Sequence, residues 1–167
     1  MSLFLPTVTL KRVTDISEEL LTSLGIRAVF LDVDNTLSVH GSQSPFEGSV
    51  AWSRNLAEKG FQLFIISNNF KERVEPFAAQ FQLPFVHFAA KPLPWGYLKA
   101  KKGLKNKVKS GQCLVVGDQV FTDIIGANLC GMKSVLLEPI QLEDTASFRL
   151  RRKWERRFRE KAKKTGR

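Results

Sequence analysis

Acidic and polar side chains follow several apolar segments of this chain, at spacings that could serve phosphoryl chemistry. Asp32 and Asp34 close the segment that begins at Ala28. Carboxylates this close together repel each other unless a positive group joins them. Oxygen ligands of this kind favour a hard cation such as Mg²⁺, which usually takes one or two carboxylates together with water and phosphate. Later apolar segments are followed by Ser67, Asn68, Lys91, Asp118 and Asp123.

These residue types divide naturally into chemical roles. Asp32 could attack phosphorus in line, while Asp34 could protonate the departing oxygen and later deprotonate water. Lys91, Ser67 and backbone N–H groups at helix starts would stabilise the negative phosphoryl oxygens. Each residue alone also fits an ordinary role in a cap, a turn or a solvated surface. Their joint occurrence after four successive apolar segments favours a site.

The elements that must position these residues alternate between strand and helix. Five short apolar segments predict strands, namely AVFLDV, QLFIIS, PFVHF, CLVVGD and SVLLEP. Helix signatures lie between them, such as Asp15 with Glu18 as a possible capping box, and Gly25 and Gly60 after helical patterns. The alternation predicts an α/β fold with a parallel sheet and helices on both faces. Ligands of such sheets bind beyond the carboxyl ends of the strands.

Four segments resemble, in order, the four motifs of the haloacid dehalogenase-like (HAD-like) phosphatases. They are DVDNT at 32–36, IISN at 65–68, KP at 91–92 and GDQVFTD at 117–123. The resemblance covers roughly residues 27–137. It implies a Rossmannoid three-layer sandwich with five parallel strands and Mg²⁺ as the cofactor.

The same resemblance implies roles for individual residues. Asp32 would be the nucleophile and a metal ligand, and Asp34 the acid/base, whose backbone carbonyl also meets the metal. Asp118 would be a further metal ligand. The resemblance assigns phosphate binding to Ser67, Asn68 and Lys91, and supporting roles to Thr36 and Asp123. Asp123 would support the water shell of the metal or Lys91.

The spacing of the motifs leaves no room for a cap domain. The successive intervals are 35 residues from Asp32 to Ser67, 24 from Ser67 to Lys91 and 27 from Lys91 to Asp118. The stretches SNN at 67–69, RVEPFA at 73–78, PFVHFAAKPL at 84–93 and GDQVFTDIIGAN at 117–128 resemble, within the capless HAD-like phosphatases of subfamily IIIA, the YqeG type. This type is similar to phosphatidylglycerophosphate phosphatases. An open site implies a large substrate or an oligomer whose neighbouring subunit closes it. His40 lies in the loop 38–48 and could touch the substrate, but a solvated histidine is the more common case in such a loop.

Composition predicts one domain with a basic extension. The 167 residues are 43% hydrophobic, and the net charge is +10. Residues 149–167 hold eleven Lys or Arg and two Glu, so this tail carries nearly all of the net charge. We therefore expect a domain at 1–148 and a basic tail at 149–167. No apolar run approaches the roughly 18 residues of a membrane span, and we see no signal peptide, so we expect a cytoplasmic protein, either free or peripheral at a membrane.

The tail has an apolar stripe at helical spacing, formed by Leu150, Trp154 and Phe158. Three interpretations remain open: contact with anionic lipid, contact with nucleic acid, or docking on its own domain. Three functions follow accordingly. The first is a phosphatase that acts on phosphatidylglycerophosphate at a membrane. The alternatives are a soluble phosphatase for a sugar phosphate or a nucleic-acid end, and an RNA-binding protein on the same fold.

Overall fold

Strands and helices alternate along the described chain, which comprises residues 3–139 and 155–162 of the computed structural model. The strands are β1 (Val8–Leu10), β2 (Ala28–Leu31), β3 (Gln62–Ile66), β4 (Phe85–Val86), β5 (Cys113–Gly117) and β6 (Lys133–Leu137). The helices are α1 (Glu18–Ser23), α2 (Ser49–Glu58), α3 (Lys71–Phe81), α4 (Pro94–Lys102), α5 (Ile125–Leu129) and α6 (155–162). A π-helical turn, Val120–Ile124, precedes α5.

All strand pairs of the sheet are parallel, and the strand order is β1-β6-β5-β2-β3-β4. The predicted α/β fold with a parallel sheet is thus confirmed. The predicted number of five strands is wrong, because Val8–Leu10 adds a sixth strand beside β6. This edge strand has three residues and is only half-buried, so its sequence carries little of the apolar pattern that marks the other strands.

Successive side chains of each strand point to opposite faces of the sheet, so the core has two layers. In β2, Val29 and Leu31 face a cluster that includes Leu56 of α2 and Phe77 of α3. Phe30 faces the opposite cluster, which includes residues of α4 and α5. Buried strands covered on both faces explain why these segments are apolar throughout. Between residues 32 and 94, all of which are described, no extra domain is inserted beyond α2 and α3.

Local sequence determines how α1 and α2 begin and end. The predicted capping box of Asp15 and Glu18 is wrong, because the hydroxyl of Ser17 caps α1 and accepts from Leu20 N at 3.2 Å. Gly25 and Gly60, which follow α1 and α2, have φ angles of 65° and 92°. Glycine adopts such left-handed conformations without strain, so both chain reversals have the residue that they require.

Helix α6 lies against the domain beside the π-helical turn. The ring of Phe158 stacks on Phe4 at 4.7 Å between centroids and meets Phe121 edge-on at 6.4 Å. It also packs with a buried cluster formed by Val120, Ile124 and Leu136. Of the three interpretations of the tail, these contacts favour docking on its own domain. Leu150 and Trp154 lie outside the described residues.

No helix among the described residues is both long and apolar enough to cross a bilayer.

Candidate active site

The carboxyl end of β2 places Asp32 at the centre of the sheet edge. Its backbone N–H donates to Val116 O at 3.0 Å, which extends the pairing with β5 by one residue. The chain then turns through Asn35, whose φ is 56°, and Asn35 N donates to Ser38 O at 2.7 Å. Asparagine tolerates the left-handed region better than most residues, so it suits this turn. The turn holds the carboxylates of Asp32 and Asp34 at the end of the strand.

Lys91 joins two of the carboxylates. Its Nζ lies 2.6 Å from Asp32 Oδ1 and 2.7 Å from Asp123 Oδ1, and all three side chains are buried. Burial by itself lowers the pKa of Lys91, but the negative charges of Asp123 and Asp32 outweigh burial and raise that pKa above its usual value. Lys91 is therefore a fixed cation at the sheet edge.

Asp32, Asp118 and Asp123 form a buried carboxylate cluster, in which one oxygen of each residue lies within 4.8 Å of the others. Burial raises the pKa of Asp32 to about 8; Lys91 opposes this shift, and the charges of Asp123 and Asp118 add to it. A single lysine does not balance three carboxylates, so the cluster fits a divalent cation. The predicted cofactor, Mg²⁺, is confirmed at the level of the family and of this carboxylate set.

Gly117 leaves the space that Asp123 occupies. A Cβ atom at Gly117 would lie 2.2 Å from Asp123 Oδ2 and 2.2 Å from its Cγ. The same Oδ2 accepts a hydrogen bond from Gln119 N at 3.2 Å. The close approach of Gly117 and the bond from Gln119 thus orient Asp123 toward Lys91.

Asp34 is held on the opposite side of the site by donors from three segments. Its Oδ1 accepts from Gly41 N at 3.0 Å and from the Arg73 guanidinium at 3.2 Å, and its Oδ2 accepts from Asn69 Nδ2 at 2.7 Å. His40 Nδ1 lies 3.9 Å from Asp34 Oδ1 and half of its side chain stays exposed, as expected of a loop histidine. The Asp34 carboxylate is not part of the carboxylate cluster, and a metal contact through its backbone carbonyl stays a prediction.

The sequence places Asn69 among the polar residues that follow β3 but assigns it no role, and it gives no sign of Arg73. The doubled asparagine after β3 was a usable signature for Asn69. Arg73 lies in the first turn of α3, where an arginine usually points to solvent.

Ser67, Asn68 and Thr36 have different surroundings. Ser67 is buried at the end of β3, and its hydroxyl accepts from Asn69 N at 3.2 Å. The side chain of Asn68 holds the backbone of Lys91, because its Oδ1 accepts from Lys91 N at 2.7 Å and its Nδ2 donates to Lys91 O at 3.2 Å. Asn68 therefore positions Lys91. Because both polar atoms of its side chain bind Lys91, the predicted contact of Asn68 with phosphate would be made by its backbone N–H. Thr36 is buried and lines a separate cavity behind the site, beside residues 11–14.

The site opens to solvent as a shallow depression of about 180 Å³. This volume is below the range of roughly 300–1,000 Å³ that is typical of pockets for small ligands. The residues that line the depression are Asp32, Asp34, His40, Ser67, Asn68, Asn69, Lys91, Gln119 and Thr122. The depression can hold a phosphoryl group, but it is smaller than a typical pocket for a whole ligand.

Helix α6 contacts the segment that carries Asp118. The guanidinium of Arg159 donates to the backbone carbonyl of Asp118 and, at 2.9 Å, to that of Leu137. Glu155 Oε1 accepts from Val120 N at 3.0 Å, at the start of the π-helical turn. The basic tail thus supports the backbone of a predicted metal ligand, a role that its charge pattern did not indicate.

The sheet, the carboxylate cluster and the paired Lys91 agree with the family model that matches this chain. Residues 10–131 match the model of the haloacid dehalogenase-like hydrolases. The chain therefore belongs to this family, and the prediction of a phosphatase of the HAD-like type is confirmed.

The chain is also similar to individual proteins. It is 30% identical over 163 residues to the Bacillus subtilis protein described as "Probable phosphatase YqeG". The match covers 98% of this chain and 94% of that relative. The predicted resemblance to the YqeG type is confirmed by this similarity.

Solved structures share the fold at low sequence identity. An uncharacterized protein from Listeria monocytogenes serotype 4b has a TM-score of 0.56 and 18% identity, and the match covers 72% of this chain and 84% of that chain. The cobalt-bound deoxy-D-mannose-octulosonate 8-phosphate phosphatase (YrbI) from Haemophilus influenzae has a TM-score of 0.55 and 16% identity, with 83% and 92% covered. At these identities the structures support the fold alone.

Proposed function

We propose that the protein is a Mg²⁺-dependent phosphomonoesterase that transfers the phosphoryl group to Asp32 and acts on phosphatidylglycerophosphate at a membrane surface. The observation that carries the chemistry is the buried constellation in which Lys91 joins Asp32 and Asp123 beside Asp118. The acid/base residue, Asp34, stands on the facing side of the same depression.

The proposed reaction has two steps. In the first, a carboxylate oxygen of Asp32 bonds to phosphorus as the ester P–O bond breaks, and Asp34 gives its proton to the departing alkoxide. In the second, Asp34 takes a proton from water, the water oxygen bonds to phosphorus, and the bond from phosphorus to Asp32 breaks. Inorganic phosphate leaves, and Asp32 is again a free carboxylate.

The other residues of the site stabilise charge and fix positions. The ammonium of Lys91 and the hydroxyl of Ser67 bind the phosphoryl oxygens, while Asn68 fixes the backbone of Lys91. Mg²⁺, when held by Asp32 and Asp118, supplies positive charge against the phosphoryl oxygens. Asn69 and Arg73 orient the Asp34 carboxylate toward the leaving oxygen.

The size of the depression supports a lipid substrate. A site of about 180 Å³ without a cap accepts the phosphate of a large molecule that stays mostly outside. A phosphorylated glycerol headgroup anchored in a bilayer has this form. The motif segments that resemble phosphatidylglycerophosphate phosphatases support the same substrate.

Phosphate release from a substrate panel tests the proposal. The panel contains phosphatidylglycerophosphate in mixed micelles, a soluble sugar 8-phosphate, a 5′-phosphorylated oligonucleotide and an aryl phosphate, each with Mg²⁺ or EDTA. We expect the highest kcat/KM for the lipid and no turnover in EDTA. The variant Asp32→Asn should lose turnover at least 1,000-fold, on the order expected for removal of a nucleophile.

Preference for the sugar phosphate or the oligonucleotide would overturn the lipid substrate. Asp32→Asn with a tenth of the parent activity would overturn the covalent route.

A further inference from the structure

Large apolar side chains stand exposed in the chain segments next to Ser67 and Lys91. Phe70 is 69% exposed, Phe88 59%, Leu93 60% and Trp95 51%. Exposed apolar side chains that cluster on a protein surface usually mark an interaction site. We call these four residues the apolar rim.

The apolar rim belongs to the same two loops that carry catalytic groups. Phe70 follows the Ser67 loop directly, and Phe88, Leu93 and Trp95 flank Lys91. Phe88 N donates to Asn69 O at 2.8 Å, so the two loops are joined. The rings of Phe70 and Phe88 stack at 5.7 Å between centroids. A surface that contacts the stacked rings would therefore lie close to the loops that carry Ser67 and Lys91.

The backbone conformation of Phe88 supports a role of the rim in binding. Phe88 has a φ of 48°, in the left-handed region that bulky residues rarely adopt. This conformation leaves its ring largely in solvent, where the ring buries little area within its own domain. Strained, exposed residues of this kind are found at binding sites more often than elsewhere.

The charge around the rim matches an anionic surface. Two lysines lie next to the rim in the chain, one on α4 one turn after Trp95 and one directly after Phe70. Lys99 lies over the ring of Trp95, with its Nζ 4.9 Å from the centroid. Lys71 follows Phe70 and pairs with Glu75 at 3.6 Å. Aromatic rings beside lysines are the composition found where proteins contact the headgroup region of a bilayer.

We infer that the apolar rim docks on the surface of an anionic lipid bilayer, so that the mouth of the site meets the headgroup plane. The choice of a bilayer as the occupant rests on the proposed lipid substrate. The rings of the rim would enter the interface, while Lys71 and Lys99 would meet anionic headgroups. Phe158 of the apolar stripe packs on its own domain, so the proposed contact surface is the rim.

Vesicle sedimentation of the full chain tests the inference without any need for turnover. The vesicles contain phosphatidylglycerol and phosphatidylcholine in equal parts, with pure phosphatidylcholine as the comparison. We expect the double variant Phe70→Ser/Phe88→Ser to reduce the bound fraction at least fivefold. Its kcat/KM for a soluble aryl phosphate should stay within twofold of the parent value. The matched control is Leu129→Ser, which removes a side chain that is 52% exposed at the end of α5, away from the site.

Fluorescence gives an independent measurement of depth. Lipids brominated in their acyl chains should quench the emission of Trp95, and Trp95→Phe should remove most of the quenched signal. Equal vesicle binding by parent and double variant would overturn the inference, and so would an equal loss in Leu129→Ser. A parent dimer that the double variant dissociates in solution would also overturn it and assign the rim to a second copy.

The outcomes separate this inference from the proposed function. Vesicle binding through the rim together with inactivity on phosphatidylglycerophosphate would overturn the proposed substrate and leave the docking surface in place. Turnover of the lipid in micelles without vesicle binding by the parent would overturn the docking surface alone.

Discussion

Gly117→Ala isolates the packing that orients Asp123. The added Cβ would lie 2.2 Å from Asp123 Oδ2, whereas ordinary contacts begin near 3.4 Å, so the carboxylate must move by about 1.2 Å. A movement of this size is large enough to break its 2.7 Å contact with Lys91 or the 3.2 Å hydrogen bond from Gln119. Misplacement by about 1 Å in an active site can cost about 100-fold in rate. We therefore expect kcat/KM to fall about 100-fold.

The assay compares kcat/KM for an aryl phosphate in saturating Mg²⁺ with the thermal midpoint of unfolding. Overpacking costs roughly 1–3 kcal/mol, so the variant should still fold at 25 °C. Gly111→Ala is the matched control, because a Cβ there meets nothing within 4 Å and its φ is ordinary. If Gly117→Ala kept more than half of the parent activity, or if Gly111→Ala lost as much, Asp123 would not be held in the way described.

Three further predictions concern other parts of the molecule. Asp34→Asn should slow hydrolysis of an alkyl phosphate at least tenfold more than that of an aryl phosphate, since a good leaving group needs less protonation; equal losses would contradict the acid/base role. Arg159→Met should lower kcat/KM and weaken Mg²⁺ binding, measured by titrating activity with Mg²⁺. The control Arg156→Ala, which changes an exposed residue of the same helix, should alter neither quantity. Equal effects of the two variants would contradict the role of Arg159 in supporting the segment that carries Asp118. Burial raises the pKa of the Cys113 thiol to about 11, so only about 0.1% of this thiol is thiolate at pH 8. Iodoacetamide followed by mass spectrometry should therefore show that the half-buried Cys130 is labelled first. Faster labelling of Cys113 would contradict its burial.

The sequence predicts the central strands and their terminal side chains well, because both depend on local patterns. Val29, Phe30 and Leu31 form an apolar run that can only be a buried strand in this context, and the next residue is Asp32. Parallel pairing then brings the ends of β2, β3 and β5 to one edge. Short motifs therefore predict that carboxylates gather at this edge without knowledge of any side-chain contact, although Asp34 lies outside the cluster that forms there.

Contacts between distant segments are not visible in the same way. Arg73 reaches Asp34 across 39 positions, and Arg159 reaches the carbonyl of Asp118 across 41. Nothing in the spacing of either arginine distinguishes it from a solvated one. The prediction of the N-cap of α1 is wrong for a local reason. Both Asp15 and Ser17 are residue types that cap helices well, and backbone geometry decides between them.

The two ion pairs of Lys91 affect how strongly the stability of the folded state depends on bound metal. Many small metalloproteins unfold when a chelator removes their ion, because metal binding supplies much of their folding free energy. Here an internal cation already lies between Asp32 and Asp123. We expect the chain to stay folded in EDTA, with a thermal midpoint only slightly below its value in Mg²⁺. The free concentration of the ion would then regulate catalysis reversibly, independently of the amount of folded protein.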